Sequence, residues 1–447
     1  MPRRNIALLL FIAALSLACY LKVDYYGRIL VFAMDEIQER ALMEVDQRQL
    51  FEGALDGMTN RLDRHSVYVS PTDLAKFEES LDQEFGGVGI RITLDRYTKQ
   101  LTVVTPLYGT PAQKQGIRAG DKILAIDGVS THGLSVQDAV DRMRGKPGEP
   151  VVLSVQHAGE QEPIDVTIVR AVIPVDSVLG DRRDAEGHWD YFLEGHEGIG
   201  YLRIESFGEK TVDELRHALA ALTKAGMRGL ILDLRNDPGG LLSAAVGTCD
   251  LLIDSGVIVT TRGRDKEIRK RFEATGRGAY TGFPIAVLVN QKSASASEIV
   301  AACLQDHHRA VIVGQRTFGK GTVQEVIPLE RGLGALKLTT SSYWRPSGKN
   351  INRPIRTAAD LARRPAEEDG HDQPAENGDW GVRPDEGYEE VLDEPRRLRL
   401  EYWRTRRDAN QKLEPEHSPE ELDPSDLAAD PQLAKALEYI EQAIAGK

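Results

Sequence analysis

Short apolar runs and turn signals alternate along the chain between Phe85 and about residue 170. The runs that favour β structure are VGIRITL, LTVVTP, KILAIDG, VVLSVQH and IDVTIVR. Short runs of this kind between turn residues are typical of strands. Two stretches between them, Pro111 to Gln115 and Ser135 to Met143, predict short helices. This part of the chain therefore predicts a small mixed β/α module.

A different pattern follows between residues 198 and 345, where strand-like runs alternate with longer helical ones. GIGYLRI, LILDLR, IAVLVN and AVIVG predict strands. Residues 211–225, a stretch after Gly240 and the segment SEIVAACLQD predict helices. Strands that alternate with helices of ten or more residues favour an α/β core with a largely parallel sheet.

The flanking segments differ from both patterns. Apolar residues recur at helical spacing between residues 23 and 84, so this segment is predicted to be helical, with a new turn at Ser70-Pro71. Residues 355–385 are rich in Ala, Glu, Asp, Arg and Pro and have almost no aliphatic run, which fits a mobile insertion. Helical spacing returns near the end, in DPQLAKALEYIEQAI.

The first residues have the pattern of an export signal. Two arginines precede the apolar run Ile6 to Ala18, and Ser16 to Ala18 form an acceptable small-x-small cleavage site. Even taken as residues 6–21, the run is shorter than the roughly 20 residues that span a membrane comfortably. Cys19 leaves lipidation open as an alternative. Whether residues 1–22 are cleaved or kept as a membrane anchor, the body of the chain is predicted to be exported to the periplasm or cell envelope.

The composition of the chain argues against several classes of function. The chain has 447 residues, enough for two or three domains, and 69 acidic against 56 basic residues give a net charge of −13. A nucleic-acid binder would need a basic surface, so nucleic acid is not an expected partner. The three cysteines cannot form a disulfide framework, and no CxxC or HExxH pattern occurs. No metal or other cofactor is therefore predicted.

The segment SASASEIVAACLQD (Ser293–Asp306) holds the first candidate for chemistry. It follows an apolar strand and opens a helix. A serine at such a turn can point its hydroxyl into a cleft, where free N–H groups and the positive end of the helix dipole stabilise negative charge. Ser295 is the candidate nucleophile. With Glu298 it also matches the S-x-x-E capping box, so on this segment alone Ser295 could simply cap the helix.

The second candidate is Lys320, in GQRTFGKGTVQ. The spacing nearly matches a phosphate-binding loop, but Gly321 stands where Ser or Thr must bind magnesium, and a strand follows. Glycines on both sides of a lysine let the backbone approach another element, and Phe318 can screen the ammonium from water. Desolvation lowers a lysine pKa, and a neutral lysine can accept the proton of a serine. Gln324 alternates onto the same strand face and could orient the amine. The alternative is an exposed loop lysine.

The third candidate is the turn in LILDLRNDPGGLL (Leu230–Leu242). An apolar strand ends in polar residues, and Pro-Gly-Gly then turns the chain. The backbone N–H groups of Gly239 or Gly240, together with that of Ala296 next to the nucleophile, could form an oxyanion hole. A plain turn is a sufficient explanation for the glycines taken alone.

Together these segments resemble the carboxyl-terminal processing peptidases, a family of PDZ-containing Ser-Lys serine proteases of bacteria and chloroplasts. The matching segments cover nearly the whole chain and stand in family order: GALDGMTNRLDRHSVYVSP, FGGVGI, ESFGEKT, DLRNDPGG, VNQKSASASEIVAACLQDHHRAVIVGQRTFGKGTVQ, LTTSSYWRPSGKNI and DPQLAKALEYI. Asp237 is a departure, since many members carry Asn there. The resemblance implies a nucleophile at Ser295, a general base at Lys320, its partner at Gln324, and oxyanion donors at Gly239 or Gly240 and at Ala296.

The resemblance also implies the fold: a ClpP/crotonase-like α/β protease core with an inserted PDZ domain and helical N- and C-terminal segments. The expected boundaries are residues 1–22 for the signal peptide or anchor, 23–84 for the helical N-terminal segment, 85–172 for the PDZ domain, 173–354 for the protease core, 355–385 for the acidic insertion and 386–447 for the partly helical C-terminal segment.

The segment FGGVGI resembles a PDZ carboxylate loop. Its backbone N–H groups would hold a terminal carboxylate while the peptide adds a strand to the sheet edge, which implies binding residues at Gly87, Val88, Gly89 and Ile90. The expected substrates are proteins or peptides with free, apolar C termini, and an adaptor or a homo-oligomer is a further possible partner.

Arg144 matches a PDZ arginine that reaches the catalytic glutamine in related enzymes. Arg144 is therefore expected to contact Gln324 only when the PDZ domain is docked productively. The chain is thus predicted to be a serine endopeptidase that cleaves envelope proteins after recognising their C-terminus. A catalytically inactive PDZ scaffold is the rival interpretation, and a lysine between two glycines speaks against it.

Overall fold

The computed structural model describes residues 25–95, 98–184, 187–353, 378–408 and 430–446. The predicted export segment and most of the predicted acidic insertion lie outside the described residues. The chain divides into two compact units, one formed by residues 1–74 with 324–339 and the other by residues 75–323 with 340–447. Within the described ranges, no helix is both long enough and apolar enough to cross a membrane.

The described helices are α1 (Tyr25–Arg40), α2 (Gln47–Thr59), α3 (Pro71–Asp82), α4 (Pro111–Lys114), α5 (Val136–Met143), α6 (Thr211–Lys224), α7 (Leu242–Leu252), α8 (Ala296–Asp306), α9 (Glu394–Asp408) and α10 (Pro431–Ala445), with a 3₁₀ turn at Glu330–Gly332. The described strands are β1 (Val67–Val69), β2 (Glu84–Gly87), β3 (Ile90–Leu94), β4 (Leu101–Pro106), β5 (Lys122–Ile126), β6 (Val129–Ser130), β7 (Pro150–Gln156), β8 (Ile164–Val169), β9 (Ala171–Pro174), β10 (Val178–Leu179), β11 (Arg182–Arg183), β12 (Trp189–Asp190), β13 (Ile199–Ile204), β14 (Gly229–Asp233), β15 (Val257–Arg262), β16 (Ile268–Glu273), β17 (Ile285–Val289), β18 (Ala310–Gly314), β19 (Thr322–Pro328) and β20 (Ala335–Trp344).

The first unit holds α1, α2 and β1 and completes its pairing with a distant part of the chain. α2 begins after Asp46, whose carboxylate accepts a hydrogen bond from the Arg48 amide at 2.9 Å, as an N-cap does. β1 runs antiparallel to the first residues of β20, with Val67 opposite Lys337. The helical prediction for residues 23–84 is therefore wrong at β1, because the partner that makes this segment a strand lies far along the sequence.

The module predicted after Phe85 is a small antiparallel sheet with two short helices. β3, β4, β5, β7 and β8 pair in this order, and β6 pairs with β5. Side chains such as Leu101 and Ile123 are fully buried in its core. α5 begins with a capping box formed by Ser135 and Asp138, which satisfies two of the free N–H groups at the helix start. β2 and β9, where the chain enters and leaves the module, pair with each other.

The α/β core is a five-stranded sheet in the order β10, β13, β14, β17, β18. The last four strands are parallel and β10 is antiparallel to β13. Every residue of β13, β14 and β17 is buried, as expected for parallel strands covered on both faces. Helices α6, α7 and α8 contribute to the apolar core on one face, and α10 packs on the other through Leu433, Leu437 and Ile440. The predicted α/β class is confirmed.

The sheet topology brings two loops together at the carboxyl ends of neighbouring strands. β14 leads into the turn that precedes α7, and the adjacent β17 leads into the turn that precedes α8. Loops at this edge of an open parallel sheet are where such folds place their sites. β15 pairs with β16 and with the last residues of β20, where Thr261 lies opposite Tyr343.

Candidate active site

Ser295 occupies a strained turn between β17 and α8. Its φ of 56° and ψ of −110° lie outside the regions that residues with side chains normally adopt, a conformation that costs about 1–3 kcal/mol and is typical of functional sites. The serines on both sides hold the turn through hydrogen bonds to the neighbouring loop. Ser293 Oγ donates to the carbonyl of Leu234 at 2.7 Å, and Ser297 Oγ donates to that of Asp237 at 3.0 Å. Both flanking hydroxyls are therefore structural, whereas Ser295 occupies the strained position.

Glu298, fully buried in the first turn of α8, joins this turn to the lysine loop. Its Oε2 accepts hydrogen bonds from the backbone N–H groups of Ser295 (2.9 Å) and Lys320 (2.8 Å). Its Oε1 accepts from the Gly319 amide (2.7 Å) and from Thr317 Oγ1 (2.5 Å). Burial raises the pKa of Glu298 to about 7, although these hydrogen bonds lower it. One carboxylate oxygen thus holds the amides of both predicted catalytic residues.

The sequence had pointed to Glu298 only as the partner of Ser295 in a capping box. The bond from its side chain to the Ser295 amide is present. However, the same carboxylate also binds a loop some twenty residues further on, which no local pattern indicates. The capping and catalytic interpretations of this segment are therefore compatible.

The glycines around Lys320 are required by close contacts, as predicted. A Cβ on Gly319, whose φ is +85°, would lie 2.6 Å from the Trp380 ring and 2.8 Å from Arg353. A Cβ on Gly321 would collide with the backbone of Asn352. Lys320 itself is half-buried.

The turn at Asp237 to Gly240 packs directly against the nucleophile. A Cβ on Gly239, whose φ is +91°, would lie 2.8 Å from the Ala296 nitrogen and 2.9 Å from Ser295 Cβ. The Gly239 amide donates to Asp237 Oδ1 at 2.8 Å. The amides of Gly240 and Ala296 donate to no other described residue. Of the three predicted oxyanion donors, Gly240 and Ala296 therefore have N–H groups that no described residue accepts, whereas that of Gly239 is engaged.

Tyr343 is a neighbour of Ser295 that sequence reasoning missed. It is buried, and its backbone N–H donates to the carbonyl of Gly321 at 2.7 Å, next to Lys320. Burial raises the pKa of Tyr343 to about 12, while the nearby Ser295 side chain lowers it. Its sequence context, LTTSSYW in a β-rich run, carries no signal that would distinguish it from a core aromatic residue.

Gln324 belongs to the first unit, whereas Ser295 and Lys320 belong to the second. Within its own unit, Gln324 Nε2 donates to Thr339 Oγ1 at 3.2 Å. Thr339 Oγ1 in turn donates to Asp63 at 3.1 Å. The assignment of Gln324 as the partner of Lys320 stays a prediction.

The four predicted PDZ residues line one groove. Gly87 to Ile90 lie on its wall together with Ile92 and the helix α5, and the groove has a volume of about 250 Å³. Its remaining walls are mainly apolar, from Val136, Val140 and Met143. Gly89 has a φ of +79°, and a Cβ there would collide with Thr110. A narrow apolar groove between a strand and a helix fits an extended peptide with apolar side chains.

Arg144 stands at the end of α5 and also lines this groove. Its Nη1 donates to Glu79 Oε2 at 2.9 Å, and its guanidinium lies 4.7 Å from the centre of the Phe85 ring. Arg144 is thus engaged within the second unit, and its predicted contact with Gln324 stays a prediction.

A second, charged cavity of about 350 Å³ lies at the carboxyl ends of β13 and β14, next to α9. Its charges pair with one another: Arg203 with Asp408 at 2.6 Å, and Arg235 with Asp233 at 2.7 Å and Asp430 at 2.9 Å. This network ties α9 and the start of α10 to the sheet.

Comparisons with known proteins show the family of this chain. The model of peptidase family S41 matches residues 198–361, and that of the PDZ domain matches residues 102–157. The carboxy-terminal-processing protease of Bartonella bacilliformis is 42% identical over 310 residues, which are 68% of each chain. The carboxyl-terminal-processing protease of a Synechocystis strain is 38% identical over 304 residues, which are 67% of this chain and 68% of that one.

Among solved structures, the photosystem II D1 C-terminal processing protease is 29% identical to this chain. The match covers 81% of this chain and 86% of that one with a TM-score of 0.43.

Proposed function

Because this chain belongs to peptidase family S41, as a PDZ-containing carboxy-terminal processing serine protease, we propose that it cuts proteins with a Ser295–Lys320 dyad. The observation that carries the proposal is the shared Oε2 of Glu298, which binds the amides of both residues. A fully buried carboxylate that orders two loops in this way favours a fixed distance between a nucleophile and its base.

The chemistry needs a neutral lysine. The Lys320 amine accepts the proton of Ser295 Oγ as this oxygen attacks the peptide carbonyl, and the ammonium that results gives the proton to the leaving amine. Water then attacks the acyl-serine, with the amine again as the base, and releases the second product. The free N–H groups of Gly240 and Ala296 are the proposed donors to the oxyanion.

Tyr343 would act on the nucleophile before attack. Its side chain lies near that of Ser295, so it would limit the rotamers that Ser295 Oγ can adopt. The phenol stays protonated at neutral pH, because burial raises its pKa to about 12. Tyr343 is therefore proposed as a positioning residue and Lys320 as the base.

The PDZ groove would supply the substrate. A terminal carboxylate would bind the amides of Gly87 to Ile90, and the apolar wall of α5 would take the last side chains. Gating is part of the proposal through Arg144, which would have to leave Glu79 to act elsewhere. Export to the periplasm or cell envelope, with envelope proteins as substrates, rests on the sequence of residues 1–22 alone.

The test compares wild type with Ser295→Ala and Lys320→Ala on an unfolded protein with an apolar C-terminus. Ser255→Ala and Lys292→Ala are matched controls, because they remove the same chemical groups from exposed positions outside the site. We expect kcat/KM to fall by more than about 10³-fold in the first pair and by less than about tenfold in the controls.

A serine-directed fluorophosphonate should label wild type and both controls but not Ser295→Ala. Cleavage by Ser295→Ala or Lys320→Ala at the rate of wild type would refute the dyad. Groove binding is read separately, from the affinity of an apolar peptide for Ser295→Ala with a free and with an amidated C-terminus. Equal affinities would refute carboxylate recognition by the PDZ loop.

A further inference from the structure

Asp237 is a carboxyl group buried inside the turn that packs on the nucleophile. It is 0% exposed, and its Oδ1 accepts one hydrogen bond, from the Gly239 amide at 2.8 Å. Its Oδ2 is buried and has no hydrogen-bond partner among the described residues. The carbonyl of the same residue accepts from the Ala294 amide and from Ser297 Oγ, both at 3.0 Å. One of the two carboxyl oxygens therefore has a hydrogen-bond partner, whereas the backbone carbonyl accepts two hydrogen bonds.

The charged groups around Asp237 do not compensate a negative charge there. In its own loop, the Arg235 guanidinium is paired with Asp233 and Asp430. The segment after β13 brings Glu205, which is acidic. Within the described part of the chain, Asp237 has no cationic partner.

Helix α8 adds no cation either. Its first turn presents the Ser297 hydroxyl to Asp237, and its carboxylate, Glu298, is bound by the amides of its own turn and of the lysine loop. Burial raises the pKa of Asp237 well above its ordinary value, and Glu205 raises it further, whereas the hydrogen bond from the Gly239 amide and the nearby Ser297 hydroxyl lower it. A carboxylate buried without a counter-ion is strongly disfavoured, so such a group takes up a proton.

We propose that Asp237 works as a neutral carboxylic acid, a positioning residue that keeps the oxyanion turn competent while it is protonated and disables the turn when it ionises. The inference rests on the proposed function, since that assigns the turn to the oxyanion. A charge on Asp237 would draw the free amide of Gly240 towards itself and would repel the negative charge that develops on the substrate. The neutral acid holds the Gly239 amide without either effect.

The kinetic test is the pH dependence of kcat/KM for wild type and Asp237→Asn. Asn keeps the Oδ1 acceptor and the shape of the side chain but cannot ionise. We expect wild type to lose activity about tenfold per pH unit beyond the ionisation of Asp237, and Asp237→Asn to lack this alkaline limb. Asp165→Asn, on the exposed side of β8, should reproduce the wild-type profile. Superimposable profiles for wild type and Asp237→Asn would overturn the proposal.

A spectroscopic test is independent of catalysis. In the Ser295→Ala background, an infrared difference spectrum between Asp237 and Asp237→Asn at neutral pH should show the carbonyl stretch of a protonated carboxylic acid. A carboxylate band in its place would overturn the proposal even if the dyad is right. Conversely, if the dyad is wrong, the infrared result still decides whether Asp237 is neutral.

The pH dependence of protein stability is a third test of the same proposal. A raised pKa means that the fold favours the neutral form, so the stability it contributes is present at low pH and is lost as pH rises through the folded pKa. The melting temperature of wild type should therefore fall relative to that of Asp237→Asn as pH rises from the ordinary pKa of an aspartate, about 4, to the raised folded pKa. A difference that does not change with pH would contradict the assignment.

Discussion

Replacing Gly239 with alanine is the sharpest steric test of the site, because one methyl group would enter the contact between the two loops. Its Cβ would lie 2.5 Å from the Ala294 oxygen, 2.8 Å from the Ala296 nitrogen and 2.9 Å from Ser295 Cβ. Real Cβ atoms almost never approach another heavy atom to less than 3.0 Å, and all three distances are shorter than that. All three atoms belong to the nucleophile turn. The two loops must therefore move apart.

The size of the effect follows from two terms. A residue with a side chain at the φ of +91° found here costs about 1–2 kcal/mol. Forcing a methyl group into a packed contact costs about 1–3 kcal/mol. We expect Gly239→Ala to lower the free energy of unfolding by about 2–5 kcal/mol. A displacement approaching 1 Å at the reacting groups should lower kcat/KM by about 10²-fold.

Gly226→Ala is the matched control. Gly226 has nearly the same φ, +84°, but nothing lies within 4 Å of the position of its Cβ. The Gly226→Ala variant therefore measures the cost of backbone strain alone. It should lower the free energy of unfolding by about 1–2 kcal/mol and leave kcat/KM unchanged. Urea unfolding and steady-state peptide cleavage measure the two quantities on both variants. If the Gly239→Ala variant cleaves peptide as fast as the Gly226→Ala variant, the inference that this turn packs on the nucleophile is wrong.

Three further predictions concern neighbouring side chains. Glu298→Ala leaves three backbone amides without their acceptor, and each such loss costs about 1–3 kcal/mol. Urea unfolding should therefore show that the free energy of unfolding falls by at least about 3 kcal/mol. Glu273→Ala, on the surface, should leave it almost unchanged. Tyr343→Phe removes the hydroxyl beside the nucleophile and should lower kcat roughly two- to tenfold at an unchanged KM. An unchanged kcat would exclude the positioning role. Arg144→Ala should slow peptide cleavage if this arginine gates the site, and equal kcat/KM values would reject that role.

Much of the fold could be predicted because strand and helix patterns are local. The runs that became β13, β14, β17 and β18 are short and apolar, and the helices between them follow the 3.6-residue period. The error at β1 and the missing prediction of β16 have a common cause. Most residues of both strands are exposed or half-buried, so their apolar pattern is weak, and their pairing partners lie in β20 and β15. β15 was not predicted either, although its run VIVTT is largely buried and suits a strand.

The candidate site was predictable to the extent that chemistry restricts residue types. A serine at a helix start and a lysine between glycines are informative wherever they occur, and the structure places both in one unit with a common partner. The individual hydrogen bonds were not predictable. The engagement of the Gly239 amide by Asp237 depends on the conformation of a single turn, which the letters Asp-Pro-Gly-Gly do not specify.

By itself, then, the sequence determined most of the strands and helices of the PDZ module and of the parallel sheet, the family that they resemble, and that Ser295 and Lys320 are the residues to consider. Only the tertiary structure decided that Glu298 joins their two loops, that Tyr343 lies near the nucleophile, and that Asp237 is buried with no counter-ion among the described residues. The physical reason is one of range. Periodicity and residue type are properties of a few consecutive residues, whereas burial and the partner of a particular polar atom depend on segments brought together from distant parts of the chain.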